Sequence, residues 1–283
     1  MKKIFHFKTI ALLFFLSPLS HLHSQSLLSM YGIDKKKTLS SDLTKALAEI
    51  SGIAFSEDGR LFAHGDEEGT IFQIDYMTGS IVKKFYLGPK SVRQDFEDIA
   101  IVQSRFFLLT SSVVLYEFAE GKEGEKVQFK MYRTHLKSSS DVEGLCYDPE
   151  TNSLLIACKD FPGKGYLGNR TVYSFSLKKM KLEDKPRFIL PLNQIESKAR
   201  HHLFKPSGIA RHPKTGSFFV LAANGETIVE VSKAGKILDQ ATFPKGVHRQ
   251  AEGIAFAPDY TLLITDEGAG GKAKLTRYPM KLK

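Results

Sequence analysis

Gln250-Ala-Glu-Gly-Ile-Ala-Phe256 is the last of five versions of one heptapeptide; Glu49-Ile-Ser-Gly-Ile-Ala-Phe55, Asp95-Phe-Glu-Asp-Ile-Ala-Ile101, Asp141-Val-Glu-Gly-Leu-Cys-Tyr147 and Lys205-Pro-Ser-Gly-Ile-Ala-Arg211 precede it. At the fourth position (Gly52, Asp98, Gly144, Gly208, Gly253) the intervals are 46, 46, 64 and 45 residues. A fixed period in the range of about 20 to 50 residues marks a repeat architecture. Each copy is followed by a turn such as Ser56-Glu-Asp-Gly59 or Asp148-Pro-Glu-Thr-Asn152, then by an apolar run, a polar break and another apolar run. Second strands are expected at Arg60 to Ala63, Arg105 to Leu109, Ser153 to Ala157, Ser217 to Leu221 and Thr261 to Ile264. Third strands follow at Thr70 to Ile74, Val113 to Phe118, Thr171 to Phe175 and Thr227 to Val231, and fourth strands at Ile81 to Leu87 and Lys236 to Phe243. Four short strands per unit of about 40 to 45 residues make a propeller blade. The fold expected is therefore all-β, a five-bladed β-propeller. An open β-sandwich would account for the strands but not for the period.

A sixth copy would fall beyond Lys283, so the last unit lacks its fourth strand. Met30 to Leu39, ahead of the first copy, has a suitable length to fill that place and leave no open edge. The long third interval is assigned to two loops, Phe161 to Asn169 and Asn193 to His202, the second with room for a helical turn.

Residues 1–24 read as an export signal: Lys2, Lys3 and Lys8 precede the apolar run Thr9 to Leu16, and a polar stretch through Ser24 follows. The run is too short to span a bilayer comfortably. Three lysines and no acid leave with it, which lowers the net charge from +9 to +6. The domain is expected to be residues 25–283, periplasmic or secreted, and monomeric. With 42% hydrophobic and 11% aromatic residues the 283-residue chain can bury a large core. The remaining basic runs, Lys178 to Lys181 and Lys272 to Lys283 among them, read as solvated faces. They are compatible with contact to a membrane surface, but no interleaved aromatics or nucleic-acid motif accompany them, which excludes a nucleic-acid partner from the reading.

In a propeller the first strand of each blade lines the axis, and the second returns to the same face. Two sets of polar residues thus meet at one opening: Glu97, Glu143 and Glu252 from the heptapeptide, and Asp66, Glu67, Asp160, Glu226, Asp266 and Glu267 after the second strands. Ser51 and Ser207 take the remaining two heptapeptide places. Carboxylates crowded in a channel repel one another, and either a proton or a cation relieves this. An all-oxygen donor set suits Ca²⁺, or Mg²⁺, with Glu97, Glu143, Glu252, Asp66, Asp266 and Glu267 as candidate ligands. The competing reading is that each Glu caps backbone amides of the neighbouring blade. His64, His201, His202 and His248 could reach the same face. Cys146 stands where other copies carry Ala; the hairpin brings Cys158 roughly opposite, so export would permit a bridge although cross-strand geometry is poor for one. No nucleophile elbow, phosphate-binding loop or zinc helix is present.

The five units, with Leu61-Phe-Ala-His-Gly-Asp-Glu-Glu-Gly69 and Leu263-Ile-Thr-Asp-Glu-Gly268 after the first and last, resemble the SdiA-regulated family of exported bacterial proteins over roughly residues 33 to 280. The resemblance implies a five-bladed propeller distantly related to NHL repeats and a calcium site, which would favour a cation at Glu97, Glu143 and Glu252; Ser51 and Ser207 depart from a full acidic ring. A weaker likeness extends to esterase-like phytases and gluconolactonase-type propellers. Two functional classes are expected: an exported, cation-stabilised module that binds a small ligand or an envelope protein, or a metal-dependent hydrolase of phosphoesters or lactones in which the cation activates water.

Overall fold

The structure is a computed structural model that describes residues 26–36, 38–90, 92–195 and 204–281. The expected export signal, and His201 and His202, lie outside these residues. Five antiparallel sheets, one per repeat, form the blades, and their first strands contact one another in ring order, the fifth meeting the first. These inner strands are Ile50–Phe55, Phe96–Val102, Val142–Asp148, Gly208–Arg211 and Ala251–Phe256. The second strands, Leu61–Gly65, Arg105–Thr110, Ser153–Cys158, Phe218–Ala222 and Leu262–Asp266, are apolar and buried for almost their whole length because neighbouring blades cover both of their faces. Five apolar clusters result, each at a blade–blade interface.

Third strands run at Thr70–Ile74, Val114–Ala119, Asn169–Ser176, Thr227–Val231 and Lys274–Tyr278. Fourth strands vary more. Ile81–Leu87, Phe129–Arg133 and Ile237–Thr242 are single runs, whereas in blade 3 the place is divided between Lys181–Leu182 and Phe188–Pro191, both paired with Asn169–Ser176. This division and the loop at 161–168 absorb much of the long interval, and Leu192–Gln194 forms one 3-10 turn. Lys126–Val127, from blade 2, adds a short parallel strand to the edge of blade 1.

In blade 5 the fourth place is held by Leu39–Asp42, antiparallel to Lys274–Tyr278. The strand therefore lies C-terminal to the expected stretch, Met30 to Leu39. Leu28, Tyr31 and Ile33 are needed elsewhere: they are buried in the cluster between blades 4 and 5, where the Tyr31 ring lies 5.9 Å from those of Phe219 and Phe256. The buried Glu230 fixes this segment, its Oε2 accepting from the amides of Leu27 (2.8 Å) and Leu28 (3.0 Å) and its Oε1 from Ser217 Oγ (2.7 Å).

At the axis the repeated Gly marks a close approach. A Cβ on Gly208 would lie 2.6 Å from the carbonyl oxygen of Glu252, and one on Gly253 would lie 3.3 Å from the amide nitrogen of Ile53. Asp98 is the one non-glycine in this column, and its carboxylate lies between blades 1 and 3. Oδ2 accepts from the Leu145 amide of blade 3 (2.6 Å), Oδ1 accepts from Ile99 (2.8 Å), and Oδ1 also lies against Gly52 of blade 1. Cys146 and Cys158 are free. The hairpin register that starts at Asp148 and Ser153 sets Cys146 opposite Leu155, Cys158 lies opposite Val142 beyond a bulge, and the two thiols pack into different apolar clusters.

Replacing Gly208 by Ala should destabilise the fold by about 2 kcal/mol, because backbone atoms of two blades cannot move apart to admit the methyl group. Gly124→Ala, at a turn with open space around it, should cost about 1 kcal/mol from its positive φ alone. Urea unfolding of the two variants makes the comparison, and equal losses would refute the axial-crowding account. Glu230→Ala should cost roughly 2 kcal/mol or more by stranding the amides of Leu27 and Leu28.

Candidate functional site: an acidic channel mouth

The two ends of the channel differ. One is a pocket of about 210 Å³ whose wall takes residues from all five inner strands, including Phe55, Ile101, Tyr147 and Phe256. The other, where inner strands begin and second strands end, is acidic. Two groups of three carboxylates stand there, each with one oxygen per residue within 4.8 Å of the others: Glu97, Asp141 and Glu143, and Glu49, Asp66 and Glu267.

The first group contains its own cation. Lys159, next after the second strand of blade 3, bonds Glu143 and approaches Asp141 to 3.9 Å. Burial holds Glu97 up to about 9, and the nearby charges of Glu143 and Asp95 add to the rise. Burial also raises Glu143, but the Lys159 bond limits it to about 7. For Lys159 burial acts the other way, yet the bond from Glu143 and the surrounding carboxylates prevail and the ammonium is held above its ordinary range.

The second group has no such partner: among the described residues none of Glu49, Asp66 or Glu267 makes an ion pair. Burial, then Glu49 and Asp66, lift Glu267 to about 7, and burial followed by Glu49 raises Asp66. Gln250 Nε2 donates to Glu267 Oε2 and fixes that side chain. Glu252 stands between the groups and is held at about 9 by burial, Glu143 and Glu267.

Of the six residues singled out from the sequence, Glu97 and Glu143 therefore share one cluster, Asp66 and Glu267 share the other, and Glu252 couples the two. Asp266 turns away from the opening. Its Oδ2 pairs with His248 Nδ1 (2.7 Å), whose Nε2 meets Tyr278 OH (2.7 Å), all three buried. His248 has both ring nitrogens engaged there. Asp160 is tied to Lys205 (2.6 Å), and Glu67 and Glu226 are exposed outside both clusters. His64 lies beneath the mouth, fully buried. Its Nδ1 donates to Gly65 O (2.9 Å), its Nε2 has no partner among the described residues, and burial lowers it to about 4, so it is neutral.

Glu49 and Asp141 were not among the expected ligands. Each opens its heptapeptide, immediately before its inner strand begins. That opening column, with Glu49, Asp95 and Asp141, was the signal that could have found them.

A family model described as SdiA-regulated matches residues 28–270. Among curated proteins, none matches by sequence. Solved structures with a similar fold include the glutaminyl cyclase of Myxococcus xanthus (14% identity, 84% of this chain and 92% of that one, TM-score 0.56). The PQQ-bound aldose sugar dehydrogenase of Streptomyces coelicolor is similar at 15% identity, 87% and 99% coverage and a TM-score of 0.53. A luciferin-regenerating enzyme is similar at 11% identity, 87% and 100% coverage and a TM-score of 0.53. At these identities the likeness is one of fold. With the five heptapeptides, the ring of blades and a family match over most of its length, the chain belongs to the SdiA-regulated family.

Proposed function

We propose that this protein is an exported propeller that binds a divalent cation of calcium type at Glu49, Asp66 and Glu267 and uses the mouth so formed to hold a ligand or an envelope partner. The observation that carries the reading is the contrast between the clusters. Three carboxyl groups at this spacing need a positive charge or a proton, and Lys159 supplies the charge for Glu97, Asp141 and Glu143 but not for Glu49, Asp66 and Glu267. Carboxylate oxygens with room for water suit Ca²⁺ or, less flexibly, Mg²⁺. Glu49 is exposed while Asp66 and Glu267 are half-buried, so the site is open to solvent and its affinity should be modest, on the order of 10⁻⁴ to 10⁻³ M. Hydrolysis would need a base beside the cation; His248 is committed to Asp266 and Tyr278, which favours binding over catalysis.

Titration of metal-stripped protein with Ca²⁺ should give one site, lost in Glu267→Gln; no heat at millimolar Ca²⁺ would refute the assignment. Lys159→Met should lower the melting temperature in chelator and add a second Ca²⁺ at Glu97, Asp141 and Glu143. An unchanged stoichiometry would show that Lys159 does not stand in for an ion.

The cation-free protein should also respond to pH. Glu97 and Glu252 at about 9, and Glu143 and Glu267 at about 7, all lie above the ordinary value of 4.5. Between about pH 5 and 9 the native state therefore holds more protons than the unfolded chain, and stability falls as pH rises. Thermal melts at pH 5, 7 and 9 should show this decline, and Ca²⁺ should offset it most at pH 9. Phytate, simple phosphomonoesters and small lactones should not be turned over in a chelator-sensitive manner.

A further inference from the structure

Beside Glu267 the acidic mouth opens into a cleft of about 330 Å³ between the loop entering the inner strand of blade 5 and the loop joining its second and third strands. Its charge is unlike that of the rest of the mouth. Arg249, Lys272 and Lys274 line it. Lys272 is paired with Asp42 at 3.0 Å, whereas Arg249 and Lys274 make no ion pair among the described residues. The acids of this wall are otherwise occupied: Asp42 faces Lys272, Asp266 faces His248, and Glu267 belongs to the carboxylate cluster with Glu49 and Asp66. Two unneutralised cationic side chains thus stand in a concave space that shares Glu267 with the proposed cation site.

We infer that this cleft binds a small molecule bearing an oxyanion group, phosphoryl or carboxylate, with one oxygen completing the shell of the cation at Glu49, Asp66 and Glu267 and the others bonded by Arg249 and Lys274. The guanidinium presents paired donors that match two oxygens of such a group, and the Lys ammonium adds a point charge. A cation held by only three carboxylates retains coordination places for an outside oxygen, since Ca²⁺ takes about 6 to 8 ligands. The cleft is at the small end of the range for ligand sites of about 300 to 1,000 Å³, which fits a compact metabolite rather than a polymer. Without the cation, the carboxylates of the mouth would repel an anion, so the two ligands bind with positive coupling.

The inference rests on the cation reading, and the test separates them. Ca²⁺ is first titrated alone into the metal-stripped full chain; absence of binding there sinks the cation reading before any anion is present. Inorganic phosphate and succinate are then titrated in saturating Ca²⁺ and again in chelator. At least one should bind in Ca²⁺ and weaken tenfold or more in chelator, and which of them binds distinguishes a phosphoryl from a carboxylate group. The double variant Arg249→Gln, Lys274→Gln should retain Ca²⁺ binding and lose the anion by at least tenfold. If Ca²⁺ binds but neither anion does at millimolar concentration, or if anion binding survives chelation or the double substitution, the inference is overturned.

Discussion

The tightness of the axial ring governs this molecule. Five inner strands approach so closely that four of them carry glycine at the contact level, and the single side chain admitted there, Asp98, reaches from blade 2 to the backbone of blade 3 and to Gly52 of blade 1. Its burial raises its proton affinity well above the ordinary range, with the two amide bonds acting in the opposite direction. Residues just outside this level have no freedom to diverge, and whatever the repeat places there must converge.

Convergence is unfavourable when the repeated residue is acidic. Like charges in a poorly solvated opening raise one another's pKa, and the chain meets the difficulty in two ways. On the side of blades 2 and 3 a lysine reaches in and bonds Glu143. On the side of blades 5 and 1 no side chain among the described residues does, and the carboxyls are left to protons or to an ion from solution. The asymmetry arises from the residue after each second strand: Lys159 follows Cys158 in blade 3, whereas Asp66 and Glu267 occupy the equivalent region of blades 1 and 5.

Much of this was legible in the sequence because a period survives substitutions that blur any single strand. The heptapeptide fixed the number of blades, the inner strands and the face on which Glu97, Glu143 and Glu252 gather. What it could not convey was pairwise choice. By sequence Asp266-Glu267 matches Asp66-Glu67, yet Asp266 still belongs to its strand and pairs with His248, which leaves Glu267 as the counterpart of Asp66; only folding brings together residues from the loop before one strand and the end of the next. Glu49 and Asp141 escape a strand-based reading because they lie just before the strands, where side-chain direction depends on the chain's entry. The cysteines are not opposite because the short turn after Asp148 pairs Cys146 with Leu155, three residues before Cys158. The N-terminal strand lies later than expected because the apolar character of Tyr31 and Ile33 reads equally well as an edge strand or as filling between blades.

The meeting of the two ends of the described chain has a geometric corollary. Lys281 donates its amide to Met30 O at 3.0 Å, and both lie by the outer strands of the last two blades, away from the pore. A tether attached at either end would therefore grip the disc by its circumference and leave the pore facing outward, like a wheel held by its tyre. For the same reason the ends could be fused and the ring reopened in the loop at 161–168, giving a permuted chain with an undisturbed hub.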